Sequence, residues 1–111
     1  MLRFEATQLV SRLAGDSPIV SNLGPTSDEL WHAGHRDRNF YTYGNMGLCS
    51  SIALGMALAT DEEIISLDGD GSLLMNMGMG VRAGMHRLAR ALTLLPNPLD
   101  CMNTAALRPA A

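Results

Sequence analysis

The sequence predicts an α/β domain: a mainly parallel sheet with helices on both faces. Three observations carry that expectation. The run Ile64-Ile65-Ser66-Leu67 is short, apolar and uncharged, as a strand covered on both faces requires. It ends abruptly in Gly69-Asp70-Gly71-Ser72, and a second apolar segment follows at once, which is a strand–turn–helix order. Upstream, Gly47 to Thr60 is rich in Ala, Ser and Gly, a composition that lets a helix sit close against a sheet.

The elements follow in order. Leu2, Ala6, Leu9, Val10 and Leu13 recur at helical spacing, and Gly15 suits a C-terminal cap. Pro18 to Leu23 contains a short strand. Ser27-Asp28-Glu29 starts a short helix through Trp31 and His32, with Gly34 at its end. Asn39 to Tyr43 leads into a Gly44–Gly47 turn. The small-residue helix, the strand at Ile64–Leu67 and a helix from about Ser72 complete the first two thirds. No internal repeat and no interdomain linker stand out. The division expected is one partial domain over residues 1–95 and an irregular tail over 96–111.

Composition narrows the classes. At 111 residues the chain is one domain at most, and a hydrophobic fraction of 47% is enough to build a core. The net charge of −3 and the lack of a basic stripe with interleaved aromatics argue against a nucleic-acid partner. Cys49 and Cys101 make no disulfide framework, so a reducing cytoplasm is the expected setting. Arg3 and Glu5 interrupt the N-terminal residues, which do not read as a signal peptide. The uncharged stretch after Asn39 is apolar only from Met46 to Ala59, shorter than the roughly 20 residues a membrane span needs. No membrane partner is expected.

The Gly-Asp-Gly-Ser turn carries the chemistry. A glycine-lined turn from a strand into a helix N-terminus presents backbone N–H groups to an anion, and the helix dipole favours phosphate. Asp70 would repel that phosphate unless a divalent cation lay between them, which suggests a Mg²⁺-bridged phosphate or diphosphate. A calcium-binding helix-loop-helix starting at Asp68 fails, because its glycine and glutamate positions hold Leu73 and Met79. A dinucleotide fingerprint from Gly69 fails at Leu74, and a Walker A loop fails because all eight basic residues are arginines. The bland alternative, a tight turn with an exposed aspartate, stays open on these residues alone.

Four segments taken together widen the view. They are Pro18 to Gly24, then Asn39-Phe40-Tyr41, then Gly44-Asn45-Met46-Gly47 running on to Gly55, then Leu67 to Asn76. In this order they resemble the diphosphate-binding domain of thiamine diphosphate-dependent enzymes, and within that superfamily the sulfopyruvate and phosphonopyruvate decarboxylases. The resemblance covers about residues 1–80 and rests on Gly-x-Met-Gly and Gly-Asp-Gly-Ser.

The resemblance implies a cofactor, thiamine diphosphate with Mg²⁺, and a role for each matching residue. Asp70 would ligate the Mg²⁺. Gly69 and Gly71 would let the backbone approach the diphosphate, and Ser72 would donate its hydroxyl or N–H to a phosphate oxygen. Gly44, Asn45 and Met46 would meet the rest of the cofactor: the Gly44 carbonyl would take the aminopyrimidine amino group, and Met46 would wedge the cofactor into its bent form. The substrate would be a 2-oxo acid, a sulfo- or phosphono-pyruvate or a relative. The family's activating glutamate lies on the other domain type, which nothing here matches. The resemblance therefore implies a partner, a pyrimidine-binding domain or subunit, in a hetero- or homo-oligomer. Carboligation of the acetolactate synthase kind uses the same anchoring motifs and is the rival reaction.

From about Val81 the likeness fades. The family continues to a strand and a metal-binding Asn; Leu92 to Leu95 reads as the remnant of that strand, and Asn97 sits between Pro96 and Pro98, off the pattern. The expected fold is therefore incomplete, the chain reading as truncated or altered there, and a non-catalytic cofactor-binding or packing domain is the alternative from a different class. Met102 to Ala111 reads as a frayed end. The remaining signals are weak. His32 and His35 lack a third ligand nearby, and Cys49 reads as packed. Gly78-Met79-Gly80-Val81-Arg82-Ala83 matches a dinucleotide fingerprint by chance inside a helix. The methionines at 75, 77, 79 and 85 read as core filling.

Overall fold

The computed structural model of the chain describes residues 2–76, 78, 91–94 and 105–106. Helix α1 spans Arg3–Leu13, strand β1 Ile19–Ser21, helix α2 Pro25–Gly34, strand β2 Asn39–Tyr41 and helix α3 Cys49–Ala59. Strand β3 follows at Ile64–Leu67, helix α4 at Asp70–Met75, strand β4 at Ala91–Leu94 and strand β5 at Ala105–Ala106. The strands form one sheet in the order β2-β1-β3-β4-β5. The first four run parallel, and β5 pairs antiparallel with β4. Among the described residues no helix is long and apolar enough to cross a membrane.

The register decides which face each side chain meets. Ile19 pairs with Ile65 and Ser21 with Leu67, so β1 and β3 alternate in phase. Val20 and Ile64 pack on Cys49, Ala53 and Ala57 of α3. Ile19, Ile65 and Leu67 pack on Ala14 and on Leu30 of α2, with Val10 of α1 alongside. Helices therefore cover both faces, as the uncharged strand demanded. Ile19, Val20, Leu30, Ile64 and Leu67 are wholly buried, each contributing about 1.5–3 kcal/mol relative to exposure.

Several boundaries and faces differ from expectation. Helix α2 begins at Pro25 rather than Ser27, because proline at the first helical position gives up a donor that has no partner anyway. Helix α4 begins at Asp70 rather than near Ser72, with Gly69 as its extended N-cap. Strand β4 starts one residue earlier than the Leu92–Leu95 run, and β5 lies within the segment expected as an irregular tail. The buried stripe of α1 is rotated: Leu2 and Leu13 are exposed, while Thr7 is fully buried. Thr7 tolerates this because its hydroxyl donates to the Arg3 carbonyl at 3.1 Å. The Arg3 guanidinium in turn grips both carboxylate oxygens of Glu29, tying α1 to α2. Met75, expected in the core, is 64% exposed. Met77, Met79, Met85, Asn97 and Cys101 lie outside the described residues.

Candidate functional site

Strands β1, β2 and β3 end side by side, since Ser21 is level with both Tyr41 and Leu67. The next residues prolong the ladder. Asn22 N–H donates to the Leu67 carbonyl at 2.8 Å, and both the N–H and the hydroxyl of Thr42 donate to the Ser21 carbonyl. At this carboxyl edge, where open parallel sheets bind ligands, the chain leaves in two glycine turns. One follows β2 and holds Gly44 to Gly47. The other follows β3 at Asp68 and Gly69 and runs directly into the first turn of α4, Asp70 to Ser72.

The two turns are joined by direct bonds. Gly47 N–H donates to Ser72 Oγ at 3.0 Å, and Asn76 Nδ2 donates to the Gly47 carbonyl and to Ser51 Oγ, each at 2.9 Å. Gly47 holds φ at +88°, a conformation that favours glycine, and a Cβ there would stand 3.1 Å from Met75 Cβ. Met46 closes the gap from the other side: its Cε lies 3.2 Å from where a Cβ on Gly71 would be. Residues 25 and more positions apart in sequence thus form one unit.

Each residue singled out from the sequence has a place in it. Gly44 is exposed with φ +71°. Asn45 is exposed, and its carbonyl accepts Leu48 N–H at 3.0 Å. Met46 is half-exposed. Asp70 is exposed at the start of α4, and its Oδ1 accepts Gly71 N–H at 2.7 Å. Ser72 is buried, and because its oxygen accepts from Gly47, its own proton remains free to be donated. His32 and His35 take no part. His35 stacks on Trp31 with ring centroids 4.5 Å apart, and its Nδ1 shares a 2.9 Å hydrogen bond with Tyr41 Oη. Among the described residues no group of three His, Cys, Asp or Glu is placed to hold a metal. Cys49 is buried under the strand ends, its Sγ 3.3 Å from Ser66 Oγ, and burial pushes its thiol pKa up to about 12.

Asn22 and Asp68 were not singled out as site residues. Both are buried at this edge beside Gly69. Asp68 Oδ1 accepts Gly69 N–H at 3.1 Å, and Asn22 Nδ2 lies 3.1 Å from where a Cβ on Gly69 would be. The signal available was an acid at the end of an apolar strand, where burial costs most.

A mainly parallel open sheet whose glycine turn after β2 interlocks with the start of α4 after β3, where an acid is exposed, defines the class: an α/β domain of the kind that holds a ligand at strand ends. The particular family follows from comparison. Residues 13–98 match the model of the thiamine pyrophosphate enzyme C-terminal TPP binding domain, and the chain belongs to that family. It is 45% identical over 78 residues to the sulfopyruvate decarboxylase subunit beta of Methanococcus maripaludis, covering 70% of this chain and 42% of that protein. It is 49% identical over 71 residues to the protein of the same description in Methanocaldococcus jannaschii, covering 64% and 38%. Similarity extends to the phosphonopyruvate decarboxylase of Streptomyces viridochromogenes, 39% identical over 79 residues and covering 71% and 20%. The chain spans less than half the length of these three relatives.

The residues present fit a diphosphate bridged by a hard cation. Carboxylate oxygen is the ligand type Mg²⁺ takes, and Asp70 offers one to solvent. A Cβ at 69 would stand 3.1 Å from Asn22 Nδ2 and one at 71 would stand 3.2 Å from Met46 Cε, so a side chain at either position would crowd these neighbours.

Proposed function

We propose that this chain is the diphosphate-anchoring part of a thiamine diphosphate- and Mg²⁺-dependent 2-oxo acid decarboxylase, a carbon–carbon lyase of the sulfopyruvate or phosphonopyruvate type. The observation that carries the proposal is the interlock of the two glycine turns at the carboxyl edge, Gly47 on Ser72 and Met46 on Gly71. The names of the relatives favour decarboxylation over carboligation.

In this reading Asp70 ligates Mg²⁺, and Gly69 and Gly71 admit the diphosphate to the backbone. Ser72 gives its free proton to a phosphate oxygen. Gly44, Asn45 and Met46 line the remainder, with Met46 Cε beside Gly71. When bound, the cofactor supplies the electron sink that stabilises the carbanion left as carbon dioxide departs from a 2-oxo acid. The anchoring domain occupies residues 1–95. A pyrimidine-binding partner, domain or subunit, carries the activating glutamate, and the assembly works in the cytoplasm. Exposed apolar side chains beside the turns, Tyr43, Met46, Leu48, Leu74 and Met75, support a partner-facing edge.

Calorimetric titration of the full chain with thiamine diphosphate, with and without Mg²⁺, tests the reading. Saturable binding that requires Mg²⁺ and disappears in Asp70→Ala, with the circular dichroism of the variant unchanged, is the expected outcome. Equal affinity in Asp70→Ala would remove that residue from the site. A folded chain that binds nothing would favour a non-catalytic packing domain.

A further inference from the structure

Two side-chain oxygens among the described residues are buried without a hydrogen-bond partner: Asn22 Oδ1 and Asp68 Oδ2. They belong to the residues that leave neighbouring strands β1 and β3, and both side chains lie against Gly69. Asp68 is 1% exposed and Asn22 8%. Leaving a buried carboxylate oxygen and a buried amide oxygen without donors is a cost to the free chain. An apolar residue would avoid it at position 68, where the strand before it is wholly buried. Two peptide units separate residue 68 from Asp70, so their Cα atoms are no more than about 7 Å apart.

Both orphaned atoms are negative ends, one of a charge and one of a dipole. A positive charge seated nearby relieves both without touching either, because buried groups are screened less than exposed ones. A diphosphate arriving without a cation meets the same two groups as repulsion. We propose that Asp68 and Asn22 are positioning residues that make this anchor depend on a divalent cation: they shape the turn through Gly69 and lower the energy of a dication at Asp70. The inference rests on reading the turn as a cation-bridged diphosphate anchor.

The test uses the full 111-residue chain as wild type, Asp68→Asn and Asn22→Ala. Two quantities are measured: the melting temperature of the free chain, and the Mg²⁺ concentration for half-saturation at a fixed concentration of thiamine diphosphate, by calorimetry. Asp68→Asn keeps the shape and removes the charge. It is expected to melt no lower than wild type and to need at least tenfold more Mg²⁺, with cofactor binding recovered at high Mg²⁺. Asn22→Ala removes only a dipole and is expected to need severalfold more. A merely structural Asp68 would instead lower the melting temperature and leave the Mg²⁺ midpoint within twofold of wild type, which overturns the proposal. Should Asp68→Asn not fold, an unchanged midpoint in Asn22→Ala overturns it equally. A wild type that binds nothing at any Mg²⁺ concentration refutes the anchor itself; a wild type that binds while the variants match it refutes only the positioning.

Discussion

Removing the Ser72 hydroxyl tests the interlock directly. Ser72 Oγ accepts Gly47 N–H at 3.0 Å in a buried setting, and Ser72 is 1% exposed. In Ser72→Ala the Gly47 N–H keeps its position, because φ at +88° and the Asn76 bond to its carbonyl hold it there. The donor is then buried without a partner, which costs about 2 kcal/mol. For a chain of this size, that lowers the melting temperature by about 8 °C. Urea unfolding followed by circular dichroism measures the loss. Asn76→Ala, which frees the Gly47 carbonyl instead, gives the second edge of a double-mutant cycle. The pair should cost less than the sum, since both bonds hold the same glycine. A loss below about 0.5 kcal/mol for Ser72→Ala would refute the argument, because it would mean that the two turns are not braced through this bond.

Other outcomes follow from the same geometry. Gly47→Ala should cost about 2–3 kcal/mol in the same unfolding assay, combining a left-handed backbone with a Cβ 3.1 Å from Met75 Cβ. Cys49, with its thiol pushed up to about 12 from an ordinary 9.0, should resist iodoacetamide at pH 8 in the folded chain and react after unfolding. The folded state keeps this proton where the unfolded state releases it. Its contribution to stability is therefore complete below pH 9 and fades as pH rises through about 12, which alkaline unfolding curves of wild type and Cys49→Ser would reveal as a difference. Glu29→Gln should cost only about 0.5 kcal/mol, with the difference shrinking in high salt, because the Arg3 and Glu29 side chains are 39% and 20% exposed.

Local sequence was enough wherever one segment settles its own conformation. Strand β3 runs from Ile64 to Leu67 as read, because acids at 62, 63 and 68 bound an uncharged apolar run. Gly34 ends α2 with φ +132°, and Gly15 follows α1 with φ +55°, both conformations that side chains disfavour. The strand-to-helix link at Gly-Asp-Gly-Ser and the packed Cys49 were equally legible, although the helix starts earlier than expected, at Asp70. What local sequence left undetermined depends on which segments become neighbours. The face of α1 depended on how the helix packs against α2, which put Thr7 inside and Leu13 outside. The strand order β2-β1-β3-β4 brought the two glycine turns together, and only then did Ser72 acquire Gly47 as a partner and Gly71 acquire Met46. Asn22 and Asp68 show the difference most plainly. Each reads alone as an ordinary polar residue after a strand, but parallel pairing of β1 with β3 buries both beside Gly69, where one side-chain oxygen of each is left without a donor. Composition and period set the elements, whereas burial, which is a property of the assembled sheet, decided which polar groups are left without partners.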